Sequence, residues 1–180
     1  QMKILIVLMV SIMSQETSML IFDFKNTKDL SNWVVVDDGV MGGLSQGSIK
    51  KSAAGNAIFT GTVRLENNGG FSSMRYEFTL TEVSNYKGVK LRIKGDVNSF
   101  QFRIKEKSSQ RYSYIQNFTT SGEWETITIP FSEFYPSFRG NRLDMPKYSG
   151  KEMQAISILI GNKIEESFSL EIEKILLYAN

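Results

Sequence analysis

The chain contains neither cysteine nor histidine. Without thiols there are no disulfides, no thiolate metal sites and no sulfur nucleophile. Without imidazole there is no side chain that naturally titrates near neutral pH and no nitrogen ligand for a metal. Ser-His-Asp and Cys-His catalysis are therefore excluded within this chain. An enzyme built from these residues would depend on carboxylates, Lys, Tyr or a bound cofactor, so the chain is read as a non-enzyme with no catalytic residue assigned. Charge of one sign is also scarce. The net charge is +2 over 180 residues, with no Lys/Arg block, which argues against nucleic acid as a partner. Proline occurs only as Pro130, Pro136 and Pro146. The apolar run from Ile4 to Val10, extended by Ile12 and Met13, is too short to span a bilayer, so no stable membrane insertion is expected.

What remains is a globular composition, 41% hydrophobic and 22% charged, enough for one domain with a sizeable core. Met2-Lys3 before the apolar run and Ser14-Gln15 after it read as a secretory signal peptide over residues 1–15. A single domain is then expected over 16–180, in a periplasmic or secreted protein. If the same run is instead a buried strand, the expected location is cytoplasmic.

Beyond Gln15 nearly every segment reads as strand. Strand-length runs cover Leu20 to Phe24, Trp33 to Val36, Ala57 to Leu65, Phe71 to Leu80, Gly88 to Gly95 and Ser99 to Lys107. Others cover Arg111 to Phe118, Glu123 to Ile129, Ile156 to Ile160 and Phe168 to Tyr178. Gly, Asn and Ser clusters separate them. One helical turn is predicted at Thr27–Leu30, and no window carries a helical apolar stripe. The class is all-β, a sandwich or barrel. The prolines fall in a long connection, Pro130 to Tyr148, whose aromatics are expected to anchor onto the core.

Period-two alternation assigns faces. Met74, Tyr76, Phe78 and Leu80 oppose Ser73, Arg75 and Glu77. Val89, Leu91 and Ile93 oppose Lys90, Arg92 and Lys94. Phe100, Phe102 and Ile104 oppose Gln101, Arg103 and Lys105. If the three strands are neighbours, Arg75, Arg92 and Arg103 merge into one cationic patch suited to carboxylate, phosphate or sugar oxygens. Trp33 and Trp124 sit in apolar strand patterns and are expected in the core.

Two glycine corners stand out, Asp37-Asp38-Gly39-Val40-Met41-Gly42-Gly43 and Asn67-Asn68-Gly69-Gly70. Paired glycines allow φ > 0 and close backbone approach. The first lacks a Gly-Lys-Ser/Thr ending and is no phosphate loop. Asp37 and Asp38 are a candidate for structural Ca²⁺, with a plain turn role as the alternative. Asp23 and Glu173 offer a second cation candidate if the termini pair. Otherwise no metal or cofactor is expected. Asp38 and Glu77 are carboxylates of the kind glycoside hydrolysis uses, but nothing in the sequence sets their separation.

Laid out in order, these residues resemble the complex I intermediate-associated protein 30 family from about Phe22 to Tyr178. The markers are Trp33, Asp38-Gly39-Val40-Met41-Gly42-Gly43, Ser45, Phe59-Thr60-Gly61 and Gly70-Phe71-Ser72-Ser73-Met74-Arg75. Gly95-Asp96, Trp124, Pro130-Phe131, Phe134, Arg139-Gly140 and Phe168-Ser169-Leu170-Glu171-Ile172 complete them. The resemblance implies a galactose-binding-domain-like jelly roll and a non-catalytic role. Eukaryotic relatives are chaperone-like assembly factors for respiratory complex I. Some plant relatives join this domain to a dinucleotide-binding one. The start here resembles an export signal, without the Arg-rich pattern of a mitochondrial presequence. The expected function is a binding module for a protein partner, with Asp38, Ser45, Asn68, Arg75 and Arg139 at its surface and Arg92 and Arg103 extending it. The alternative is carbohydrate binding on a concave sheet, with Tyr112 or Tyr114 as a stacking platform.

Overall fold

A computed structural model describes residues 17–179. The signal-peptide reading of residues 1–15 lies outside the described residues. The strands, in chain order, are β1 (Ser18–Asp23), β2 (Trp33–Asp37), β3 (Gln46–Lys51), β4 (Ala57–Val63), β5 (Ser72–Glu82), β6 (Gly88–Gly95) and β7 (Ser99–Lys105). They continue with β8 (Ser113–Thr119), β9 (Glu125–Pro130), β10 (Tyr135–Phe138), β11 (Asn141–Arg142), β12 (Glu152–Ile160) and β13 (Glu166–Tyr178).

Two antiparallel sheets form a jelly-roll β-sandwich, as expected. One has six strands in the order β3-β4-β13-β6-β9, with β1 also paired to β13; the other has seven, β11-β10-β8-β7-β12-β5-β2. The alternation is realised as read on β6 and β7 and on β5 as far as Phe78; Leu80, read as inward, is exposed because the β5–β12 register shifts between Glu77 and Thr81. On β6, Val89, Leu91 and Ile93 are fully buried between Lys90, Arg92 and Lys94. On β7, Phe100, Phe102 and Ile104 are buried between Gln101, Arg103 and Lys105. Facing rings from both sheets fill the gap. Phe22 of β1 meets Trp33 of β2 edge-on at 5.5 Å and Tyr76 of β5 at 5.0 Å. Each fully buried large side chain contributes about 2–3 kcal/mol.

Four expectations need correction. Thr27–Leu30 has no helical turn; the chain reverses just before it, where the Thr27 N–H donates to the Asp23 carbonyl at 3.1 Å. β3 went unpredicted because its side chains are mostly polar and an edge strand has little to bury. The Pro130–Tyr148 connection contains β10 and β11, which extend the seven-stranded sheet. Phe131 and Phe134 do anchor in the core. Trp124 is half-buried and outside the core, with the Arg92 guanidinium over its ring at 5.5 Å.

Candidate functional site

Register places the functional side chains. Across the outer face of the seven-stranded sheet, Val34, Arg75, Ser157, Arg103, Ile115 and Tyr135 stand opposite one another on β2, β5, β12, β7, β8 and β10. The next row holds Glu77, Ala155 and Lys105. At these two rows the central strand β12 contributes only the small Ala155 and Ser157 between the longer Arg75, Glu77, Arg103 and Lys105, so the face is hollow along its middle. A cavity of ≈ 150 Å³ lies over Arg75, Glu77, Arg103, Lys105, Arg111 and Ser113. It runs on into a groove of ≈ 520 Å³ bounded by Val40, Met41, Phe71, Leu159, Ser137, Arg139 and Lys163.

The electrostatics of this groove are one-sided. Glu77 is the one acid among these lining residues. Among the described residues, no carboxylate forms an ion pair with Arg75, Arg103, Lys105 or Arg111. Burial, with the Arg75 charge adding to it, pulls the Arg103 guanidinium down to about 10. Burial and the same neighbour lower Lys105. Arg75 is lowered by burial, with Glu77 partly opposing. Cations held in this way lack the counter-charge that would normally accompany them.

Two of the rings at this face, Tyr135 and Phe138, are covered by guanidinium groups, whereas Phe71 is not. Arg142 lies over Tyr135 at 4.7 Å, and Arg111 and Arg139 both lie over Phe138 at 5.3 Å. Arg139 (φ 49°) and Gly140 (φ 80°) form the two-residue turn between β10 and β11. Positive φ at both central positions is what a type I′ hairpin turn needs, and an arginine there is unusual.

The glycine corners form the lip of the groove. Asp38 is fully buried between them. Its carboxylate accepts the Ser45 N–H at 2.9 Å, the Ser45 hydroxyl, the Gly70 N–H at 2.6 Å and the Phe71 N–H at 3.3 Å. Burial pushes the Asp38 carboxyl up, but the Ser45 hydroxyl and these amides outweigh it and hold its pKa below the ordinary value. Within each glycine pair one residue has positive φ, Gly42 at 88° and Gly70 at 125°. The other makes room: a Cβ on Gly43 would sit 2.3 Å from the Asp38 carboxyl carbon, and one on Gly69 2.6 Å from its Oδ2. The neighbouring Asp37 accepts the Ser72 hydroxyl at 2.6 Å and the Gly47 N–H at 3.0 Å. Both carboxylates of the candidate Ca²⁺ site are thus engaged by internal donors. Among the described residues no group of three acids stands together as a metal site. At the termini β1 does pair with β13, but Asp23 bonds Asn26 at 2.6 Å and Glu173 pairs with Lys174 at 3.6 Å.

Of the seven expected surface residues, Arg75, Arg103 and Arg139 share the groove. Arg92 does not: β6 pairs with β13 and β9, so Arg92 lies on the outer face of the six-stranded sheet. Asp38 and Ser45 are buried and act by fixing the lip. Asn68 is exposed at φ 58° beside the lip, not lining the groove. Tyr114 is buried against Tyr148, and Tyr112 packs edge-on to Tyr114, so neither is a platform on this face. Lys105, Arg111, Ser137 and Lys163 were missed. Lys105 was visible in the alternation of β7; the other three lie outside any predicted patch.

A family model described as Complex I intermediate-associated protein 30 matches residues 22–172. The chain belongs to that family. A mouse relative, named Complex I intermediate-associated protein 30, mitochondrial, is 27% identical over 183 residues, 88% of this chain and 55% of the relative. A Drosophila melanogaster relative of the same name is 25% identical, covering 69% of this chain and 49% of its own. The chain thus spans about half the length of these family members. Among solved structures, the family 11 carbohydrate-binding module of a Clostridium thermocellum cellulosomal cellulase superposes with a TM-score of 0.66 at 21% identity, over 91% of this chain and 95% of its own. The same kind of module, in complex with a β-1,3-1,4-mixed-linked tetrasaccharide, gives 0.64 at 21% identity, over 89% and 94%. At such identities the likeness shows the fold alone.

Proposed function

We propose that this chain is a non-catalytic module that binds a protein partner across the outer face of its seven-stranded sheet, in a role like that of an assembly factor. The observation that carries this reading is the row of Arg75, Arg103, Lys105 and Arg111 without ion-paired carboxylates among the described residues. A partner's acidic groups would supply the missing charge. Family membership supports the assembly-type role.

Glycan binding is the second reading, favoured by the shared fold with carbohydrate-binding modules. Against it, Tyr135 and Phe138, two of the rings a neutral sugar would stack on, carry guanidinium groups instead. A neutral sugar also leaves the clustered cations unneutralised.

Affinity capture from the native cell, with the protein as bait, tests the proposal. A stoichiometric protein partner is expected. It should be lost with Arg75→Ala and Arg103→Ala and retained with Arg92→Ala. Unchanged recovery across all three would refute this use of the face. Calorimetry against mixed-linkage β-glucan should show no binding; saturable binding there would make the glycan reading the correct one.

A further inference from the structure

We infer that the groove is a docking site for an acidic protein segment that also carries an apolar side chain, its carboxylates against Arg75, Arg103 and Ser137 and its apolar group against Val40 and Met41. This rests on the protein-binding reading above and names the chemistry of the partner.

The donors are set and unused. Arg75 uses only its Nε, donating to Ser73 Oγ at 3.2 Å, and Arg103 uses only its Nε, donating to Gln101 Oε1 at 3.2 Å. The two terminal nitrogens of each fork bond nothing among the described residues. A guanidinium fixed at Nε with its outer edge free is shaped for a bidentate carboxylate. Ser137 lines the same groove, is 2% exposed, and its hydroxyl has no hydrogen-bond partner. A buried polar group left unpaired is costly, and a turn of the Ser137 side chain toward the groove would let an incoming carboxylate oxygen satisfy it.

The span of the site points to a chain segment. Arg75 and Arg103 flank β12, so their backbones are about 10 Å apart, and Arg139 and Lys163 extend the positive lining further. A single small anion cannot reach them all. Among the described residues, four non-glycine residues have positive φ. Two are the asparagines Asn67 and Asn68, a residue type that tolerates it; the others are Arg139 and Lys163, both groove cations. Strain of this kind collects where a side chain must be aimed.

The apolar end is equally prepared. Val40 is 77% and Met41 55% exposed, on the 3-10 turn Asp38–Met41 that the buried Asp38 carboxylate ties to the opposite corner. Exposed apolar groups on a rigid corner lose little entropy when covered. An anionic membrane fits poorly. The loops at this end carry Glu66, Asp96, Glu123 and Glu165 against Arg64 and Lys163, and a net acidic rim repels anionic lipid.

Fluorescence anisotropy with the full chain tests the inference, using two labelled short peptides. One contains only Glu and Ser; the other has a central Leu replacing one Ser. Inorganic phosphate and polygalacturonate serve as competitors. The Leu peptide should bind about tenfold tighter than its parent. Arg75→Gln and Arg103→Gln should each weaken both peptides at least about tenfold. Arg103→Lys, which keeps the charge and loses the fork, should lie between. Val40→Ser with Met41→Ser should abolish only the advantage of Leu, and Arg92→Gln should change nothing. Circular dichroism of each variant checks that it is folded. Binding of neither peptide, equal binding of both, or displacement by phosphate or polygalacturonate at concentrations matching the peptide would overturn the inference. If neither peptide binds while Arg103→Ala still abolishes capture of the native partner, this inference fails and the protein-binding reading stands. If capture ignores Arg75→Ala and Arg103→Ala, that reading fails as well.

Discussion

The outer faces of the two sheets are built from the same kind of strand and accommodate their arginines differently. On the six-stranded sheet, β6 presents Lys90, Arg92 and Lys94, and β13 sets Glu171 opposite Lys94 and Lys174 opposite Arg92. There Lys94 stands opposite an acid, Lys174 pairs with its neighbour Glu173, and Arg92, although opposite Lys174, lies over an aromatic ring, that of Trp124. On the seven-stranded sheet, β5 and β7 present Arg75, Glu77, Arg103 and Lys105 on either side of the small Ala155 and Ser157. Arg75 and Arg103 face each other across Ser157, and only Lys105 has an acid, Glu77, across from it. The alternation of each strand is the same; what differs is the strand laid beside it. A neighbouring acid or ring offsets the cations of the first face, whereas Arg75 and Arg103 on the second have no ion-paired carboxylate among the described residues.

The largest expected effect concerns the lip of the groove. Asp38→Ala strands the buried donors of Ser45, Gly70 and Phe71 and should lower the unfolding free energy by about 3–5 kcal/mol. Glu171→Ala on the other sheet, which loses one bond from Asn56 at 2.9 Å, should cost about 1 kcal/mol. Urea denaturation measures both; similar costs would erase the distinction between lip and ordinary face. The pH dependence has a definite sign. The Asp38 carboxyl is held below the ordinary aspartate value of 3.8 when folded. Its contribution is therefore complete above that value and is lost as pH falls through the folded pKa. The wild type should lose stability on acidification in that window, and Asp38→Asn should lose less.

A smaller effect is steric. Gly69→Ala drives a methyl into Asp38 and should cost about 1–3 kcal/mol. Gly39→Ala, with nothing within 4 Å of its would-be Cβ, should change stability by under about 0.5 kcal/mol. Equal thermal shifts for the pair would mean the corner yields easily.

The smallest effect is the sharpest test of the contrast between faces. Arg103→Gln relieves a cation crowded by Arg75 and should leave stability unchanged or raise it by about 0.5 kcal/mol. Arg92→Gln gives up its position over Trp124 and should lower stability by about 0.5 kcal/mol. Opposite signs in denaturant midpoints support the contrast, and the same sign breaks it.

Much of the fold was legible. β6 was predicted at its observed bounds, Gly88 to Gly95, and β5, β8 and β13 to within a residue or two at each end. Alternating apolar residues carry that signal locally. β10 was missed because Pro136 argues against a strand, although it pairs with Tyr114 near the sheet edge. The site was half legible. The polar strand faces mark Arg75 and Arg103, and the two do line one groove. Arg92 was grouped with them on identical grounds and lies on the other sheet. Arg111, Ser137 and Lys163 gave no local sign, because each joins the groove through contacts distant in the chain.

By itself the order of residues determined an all-β protein, a sandwich or a barrel, without thiol or imidazole chemistry. It also determined which side chains point inward and where glycine must stand for the chain to turn. These properties rest on composition, on the period of a strand and on the space a missing Cβ leaves. Only the tertiary structure decided which strands lie side by side, and therefore that Arg92 lies over Trp124 while Arg75 and Arg103 flank one hollow. Pairing between strands depends on burial shared by residues far apart in sequence, and no single strand carries that information.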